Sequence, residues 1–403
     1  MTPGTEERGA VTPVRIGVIG AGAMGAGIAL VAAAHGHEVL LADALPGALE
    51  RAREAHQATM ARDVSKSRRS MQEADAVLSH ITYLDTSADG MAPLAACGFV
   101  IEAIIEQLAA KQALFRSLEA VVAGNAILAT NTSSLSIAAL AGACRNPARV
   151  VGVHFFNPAP VMPLVEIIPA IPTLPEIAVA AGTLVRGWGK TTVQAKDTPG
   201  FIVNRIARPF YGESLRMLEE GVADVATIDW ALTTIGGFRM GPFALMDLIG
   251  NDVNFAVSCS VYEGTFHDPR YRPSVTQQRY VESGWLGQKS KRGYYDYTDG
   301  ATPPAAVQDP LLGQRIVDRV LAMLVNEAVS AAELRLASAM DIETAMTRGV
   351  NYPRGLIAWG DQIGAAAILG EIERLQREFA DPRYRPARRL RRVAQQGGSL
   401  LDD

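Results

Sequence analysis

Val14-Arg-Ile-Gly-Val-Ile-Gly20-Ala-Gly22-Ala-Met24-Gly25-Ala-Gly-Ile-Ala-Leu-Val-Ala-Ala-Ala34 reads as strand, glycine turn and helix in immediate succession. The run up to Ile19 is apolar and rich in β-branched residues, which predicts a buried strand. From Ala26 onward the residues are strong helix formers, and His35-Gly36-His37 ends that helix. Glu38-Val-Leu-Leu-Ala-Asp43 reads as a second strand, closed by an acid. A glycine pattern alone is a weak signal. Strand, turn, helix, strand and terminal acid together give it the context it requires.

Each glycine has a physical task there. Gly20 permits the tight turn, Gly22 lets the backbone approach a pyrophosphate, and Gly25 lets the helix pack close to the sheet. The free amides at the helix N-terminus, including those beside Met24, then receive phosphate. Asp43 follows Gly20 by 23 residues. A carboxylate there bonds both ribose hydroxyls and repels a 2'-phosphate, so NAD is the expected cofactor over NADP. An ordinary strand-end acid before a turn is the plainer reading of Asp43.

The bulk numbers bound the rest. A chain of 403 residues suggests two or three domains. It is 48% hydrophobic and 20% charged, a composition that supports a large core. A formal charge of -4 argues against nucleic acid or an anionic membrane as partner. Cys97, Cys144 and Cys259 are scattered, without ligand spacing, so no metal site is expected and the thiols read as reduced. Residues 1–12 are polar and read as a disordered tail. No apolar run approaches the roughly 20 residues of a membrane span, and the cytoplasm is the expected compartment.

Residues 45–77 alternate charged and apolar residues at helical spacing, predicting one or two exposed helices. They carry a charged knot, Arg62-Asp-Val-Ser-Lys66-Ser-Arg68-Arg69. A solvated helix end is the plain reading of that knot; a patch for substrate phosphates is the sharper one. Gly98-Phe-Val-Ile-Glu-Ala103 reads as a strand, followed by a helix opening at Ile105-Glu106 with Lys111 one turn on. Ala126-Ile-Leu-Ala-Thr130 is another strand, ending in Asn131-Thr-Ser133-Ser134. Doubly wound sheets bind ligands at strand C-termini, so these side chains are candidates. Ser134 or Ser136 is expected to cap the next helix, leaving Ser133 for another task. Residues 149–155, 164–168 and 191–195 complete a sheet of about eight strands. His154 and Glu166 fall on successive strand-like runs joined by a loop with Asn157, Pro158, Pro160 and Pro163. A tight return would set an imidazole beside a carboxylate, a proton-moving pair.

From Asp197-Thr-Pro-Gly200 the pattern is helical, and it repeats. Asp268-Pro-Arg-Tyr-Arg-Pro273 reappears as Asp381-Pro-Arg-Tyr-Arg-Pro386, and Asp247-Leu-Ile-Gly250 as Asp361-Gln-Ile-Gly364, at offsets of 113 and 114 residues. Glu213 and Glu219 correspond to Glu327 and Glu333, but Asn204-Arg205 becomes Asp318-Arg319. Copy one is therefore expected to carry chemistry and copy two to be architectural. The expected architecture is α/β: a Rossmann-like, mostly parallel sheet domain at 13–196, then two repeated all-α domains at 197–298 and 310–403, joined by a linker at 299–309.

The assembled motifs resemble the 3-hydroxyacyl-CoA dehydrogenase family. Gly20-Ala-Gly-Ala-Met-Gly25, Asn131-Thr-Ser-Ser-Leu135, His154-Phe-Phe-Asn-Pro158, Leu164-Val-Glu-Ile167 and Asp197-Thr-Pro-Gly-Phe-Ile-Val-Asn-Arg205 carry that resemblance. It implies NAD-dependent oxidation of a (3S)-3-hydroxyacyl-CoA thioester. His154 would be the general base and Glu166 its partner, while Ser133 and Asn204 would bond the reacting oxygen or the thioester. Glu106, Lys111, Asn131, Ser133 and Asn157 would lie near the nicotinamide ribose and active-site floor. Lys66 and Arg69 would meet the CoA phosphates. The tandem helical unit resembles the branch with 3-hydroxyadipyl-CoA and 3-hydroxybutyryl-CoA dehydrogenases. Relatives with one helical unit dimerise through it, so copy two is expected to replace that homo-oligomeric partner. Many relatives carry lysine where this chain has Pro163. Two alternatives stay open: a dehydrogenase of a non-CoA hydroxy acid, and an NAD-binding sensor without chemistry.

Overall fold

The structure is a computed structural model that describes residues 14–402; the tail expected at 1–12 lies outside the described residues. The chain divides into two compact units, one ending at Thr192 and one beginning at Val193.

In the first unit, β1 (Ile16–Ile19) leads through the glycine turn to α1 (Ala23–Ala33) and β2 (Val39–Asp43). α2 (Ala48–Ser65), α3 (Met71–Ser79) and β3 (Ile81–Asp85) follow, then β4 (Phe99–Glu102), α4 (Leu108–Val121), β5 (Ile127–Thr130) and α5 (Ile137–Ala141). β6 (Val150–Phe155), β7 (Leu164–Pro169), α6 (Pro175–Gly187) and β8 (Thr191–Gln194) complete the sheet. Its order is β3-β2-β1-β4-β5-β6-β7-β8. Strands β1 to β6 pair in parallel, and β7 turns back antiparallel on β6. Parallel strands covered by helices on both faces read as continuous apolar runs, which is why most were visible in sequence. β3 was not. It is an edge strand in which buried Ile81 and Leu84 are interspersed with exposed Thr82 and Asp85, so it lacks an apolar run.

The core of this unit joins Ile16, Val18, Ile28, Leu41, Ile101, Val151 and Val153. Trp188 anchors one side, its ring 5.8 Å from His37, 6.4 Å from Phe99 and 6.2 Å from Phe155.

The second unit is helical. α7 (Val203–Ile206) and α8 (Arg208–Glu219) meet at Ala207. α9 (Val225–Trp230), α10 (Pro242–Ile249), α11 (Asn251–Gly264) and α12 (Val275–Glu282) finish the first copy. α13 (Pro310–Glu333), α14 (Ala339–Gly349), α15 (Leu356–Ile363), α16 (Ala365–Phe379) and α17 (Arg388–Gln396) form the second. Beyond its first turns α13 is buried almost all round, from Ile316 to Ala332, as an axial core helix must be. The fold is therefore α/β in its first unit and all-α in its second.

The copies face each other in a reciprocal way. Arg205 of copy one donates to Glu327 of copy two at 2.9 Å, and Arg319 of copy two donates to Glu213 of copy one at 2.8 Å. Tyr271 donates to Glu327, and its counterpart Tyr384 donates to Glu213 at 3.0 Å. Phe238 meets its own counterpart Tyr352, ring centroids 5.0 Å apart. A residue touching its own equivalent marks a two-fold relation, the geometry of an isologous dimer built into one chain.

Candidate active site

The site is built first from the glycine turn. Gly20 has φ +103°, a backbone region that disfavours side chains, and a Cβ there would lie 2.5 Å from the Ala103 carbonyl oxygen. A Cβ at Gly25 would lie 1.8 Å from the Gly20 carbonyl oxygen, so only glycine lets α1 pack against the turn. A Cβ at Gly22 would meet nothing within 4 Å, leaving open space over the first-turn amides. No side chain caps that helix and its first turn carries no acid. The turn thus fits a bound pyrophosphate by both shape and charge. Asp43, at the end of β2, accepts from the Ala21 amide at 2.7 Å and the Leu45 amide at 2.8 Å. Met24 is half-buried on the first turn of α1.

His154 and Glu166 stand directly opposite each other in the β6–β7 register. Directly opposed residues on antiparallel strands point to the same face, so the fold sets the two side chains together. His154 Nδ1 lies 2.7 Å from Glu166 Oε2, and both side chains are buried. A carboxylate only accepts, which assigns a proton to Nδ1; in the neutral imidazole the lone pair is then on Nε2. Phe156 packs on the imidazole at 4.5 Å between centroids. The connecting loop is held by Lys190, which sequence reasoning did not single out. Its buried ammonium donates to the Ala159 and Met162 carbonyls at 2.6 and 2.8 Å, and burial lowers its pKa. Pro163 accepts from the Thr191 amide at 2.8 Å with its carbonyl, a role open to any residue. Asn157, in the same loop, is exposed.

The ends of β4 and β5 carry a second cluster. Glu106 precedes α4, which begins at Leu108 and not at Ile105 as expected. Its carboxylate accepts from the Thr132 hydroxyl at 2.5 Å, the Ser133 amide at 3.0 Å and the Ser134 hydroxyl at 2.9 Å. Burial pushes the Glu106 carboxyl up, but the Lys111 ammonium and these hydroxyls outweigh it and hold the pKa below the usual value. Lys111 is buried and lies 3.1 Å from Glu106 and 2.6 Å from Glu102. Asn131 accepts from the Phe155 amide at 2.8 Å, tying the end of β5 to the strand that carries His154. Ser136 caps α5 through the Ala139 amide, so of the two expected capping residues, Ser134 and Ser136, it is Ser136 that does so. Glu102 lies in a strand legible from the sequence, but the strand pattern assigns it no role. A carboxylate closing a buried strand, with a lysine nine residues on, was the available signal.

Lys66 caps the end of α2 with its side chain exposed, and Arg69 is half-buried in the turn before α3. Asn204 lies on α7 of the second unit, half-buried.

Residues 15–198 match the NAD binding domain of 3-hydroxyacyl-CoA dehydrogenase, and residues 200–297 and 316–399 match its C-terminal domain twice over. The chain is 39% identical to 3-hydroxyadipyl-CoA dehydrogenase of Escherichia coli strain K12, covering 94% of this chain and 97% of that protein. It is 39% identical to a probable 3-hydroxybutyryl-CoA dehydrogenase of Bacillus subtilis over 71% of this chain and 98% of the relative. The crystal structure of 3-hydroxybutyryl-CoA dehydrogenase from Escherichia coli K12 superposes with a TM-score of 0.89 at 37% identity, covering 96% of this chain and 99% of that one. Fold, glycine turn and sequence agree: the chain belongs to the 3-hydroxyacyl-CoA dehydrogenase family of NAD-dependent oxidoreductases.

Proposed function

We propose that the protein reversibly oxidises (3S)-3-hydroxyacyl-CoA to 3-oxoacyl-CoA, with His154 and Glu166 as its proton-handling pair. The observation that carries this reading is the buried 2.7 Å contact between His154 Nδ1 and Glu166 Oε2. When bound, NAD supplies the hydride acceptor. His154 Nε2 takes the 3-hydroxyl proton as the C3 hydride leaves. Glu166 stabilises the imidazolium that results and holds the productive tautomer. In the reducing direction the same imidazolium returns the proton to the C3 oxygen.

The remaining roles follow the chemistry of each side chain. Ser133 and Asn204 hydrogen-bond the reacting oxygen or the thioester carbonyl. Glu106, Lys111, Asn131 and Asn157 orient the nicotinamide half, and Asp43 takes the adenosine ribose. Lys66 and Arg69 pair with CoA phosphates. The division at 13–196, 197–298 and 310–403 separates the cofactor domain, its helical partner and the architectural copy. The reciprocal contacts between the two copies support the reading that copy two replaces a dimer partner. Free thiols at Cys97, Cys144 and Cys259 support a cytoplasmic setting.

Loss of NADH absorbance with acetoacetyl-CoA tests the activity, and a panel of short, medium and dicarboxylic 3-oxoacyl-CoA thioesters tests chain length. Free hydroxy acids in parallel test the need for CoA. No turnover across the panel while NADH binds overturns the reading. His154→Gln is expected to bind cofactor normally and lose about 100- to 10,000-fold in kcat.

A further inference from the structure

Glu102 is the last residue of β4, with Ile19 of β1 and Thr130 of β5 beside it in register. The strand order reverses between β1 and β4, where a doubly wound sheet takes its dinucleotide. Asp43 ends β2 in the adenosine half of that sheet. The nicotinamide half therefore belongs over the ends of β4 and β5.

The Glu102 side chain is fully buried and fully engaged. It accepts from the Ile104 amide at 2.7 Å, Lys111 Nζ at 2.6 Å and the Thr130 hydroxyl at 2.7 Å. Lys111 completes its set with Glu106 at 3.1 Å and the Ile104 carbonyl at 3.4 Å. Glu106 in turn holds the Ser133 amide and the hydroxyls of Thr132 and Ser134. The chain of contacts runs unbroken from a buried strand end to the serine turn. Two carboxylates share one ammonium, so the cluster keeps one negative charge. A buried lysine with a single, partly exposed carboxylate would be poorly compensated; Glu102 supplies the second.

We propose that Glu102 is a positioning residue: through Lys111 and Glu106 it fixes the Ser133 turn, and it keeps a net negative charge at the switch point that favours cationic NAD+ over NADH. The positioning half rests on the substrate role proposed for Ser133. The charge half does not, because it concerns the cofactor alone.

Glu102→Gln keeps the size of the side chain and removes its charge. Fluorescence and calorimetric titrations without acyl-CoA give Kd for NAD+ and NADH. The ratio of Kd for NAD+ to Kd for NADH is expected to rise on the order of ten-fold, as for loss of one charge about 10 Å away in a protein interior. A purely structural residue would weaken both forms equally, and an unchanged ratio in folded Glu102→Gln overturns the charge role. Glu102→Asp keeps the charge but withdraws it from Lys111 by one methylene. It is expected to hold the parental ratio and lose about ten-fold in kcat/KM; parental kcat/KM overturns the positioning role. Should Glu102→Gln not fold, Glu106→Gln removes the cluster's net charge from its other carboxylate, and an unchanged ratio there overturns the charge role equally. Failure of the proposed substrate reading shows separately, as absent turnover in the parent protein while Glu102→Gln still shifts the cofactor ratio.

Discussion

The Asp43 carboxylate accepts backbone amides on both sides, from Ala21 in the glycine turn and from Leu45 beyond its own strand. It therefore holds the turn in shape before any ribose arrives. Removing its charge should act twice. Asp43→Asn must present an amide N–H to one of those backbone donors, which loosens the turn, and it no longer repels a 2'-phosphate. We expect weaker NAD binding together with roughly ten-fold less discrimination against NADP, read from the two Kd values. Unchanged discrimination would return Asp43 to a purely structural role. His154 illustrates the same economy of position. Its register opposite Glu166 is set by strand pairing, so the pair is in place without help from substrate.

At the scale of elements, α13 of copy two packs against α7 and α8 of copy one. Glu327 sits buried among Arg205, Arg270 and Tyr271 of copy one. Glu213 sits in the matching nest, where burial raises its carboxyl pKa but Arg216 of its own helix and Arg319 and Arg383 of copy two prevail and lower it. Buried ion pairs add little net stability, yet breaking one strands its partner charges. Glu327→Ala should therefore destabilise by about 3–5 kcal/mol, seen in urea as a lower midpoint at unchanged slope. A loss below about 1 kcal/mol would mean that the arginines reach solvent instead.

For the whole molecule, pH separates the contributions of individual buried groups. His56 packs between α1 and β3, its Nε2 donating to the Ala26 carbonyl and its Nδ1 accepting from Tyr83, each at 2.8 Å. Burial lowers its pKa against the smaller opposing pull of the Ala26 carbonyl. The unfolded imidazole binds protons more readily, so this group's stabilisation is lost as pH falls through about 6.5. Asp229 works the other way. Burial raises it to about 6, so its contribution improves as pH falls through that value. Melting curves between about pH 7.5 and 5.5 should show a smaller acid loss for His56→Gln than for the parent; identical slopes would remove His56 from the account. Deleting residues 311–403 removes α13 and exposes the apolar faces of α8 and Phe238. Light scattering should find the truncated chain aggregated or dimeric; a soluble monomer would show that copy one closes on itself.

The sequence by itself determined the nucleotide turn, because Gly20 and Gly25 answer local steric demands that no other residue meets. It also determined the repeat, since two copies at one offset leave a direct imprint. The His154–Glu166 pair was half legible: two apolar runs and a loop suggested it, but only the antiparallel register places the side chains on one face. The edge strand β3, Lys190 under the loop and the Glu102 cluster were decided by tertiary structure alone. So were the reciprocal ion pairs between copies. Their partners lie 9 to 171 residues apart, and a buried charge chooses its partner by the space and donors the fold leaves around it.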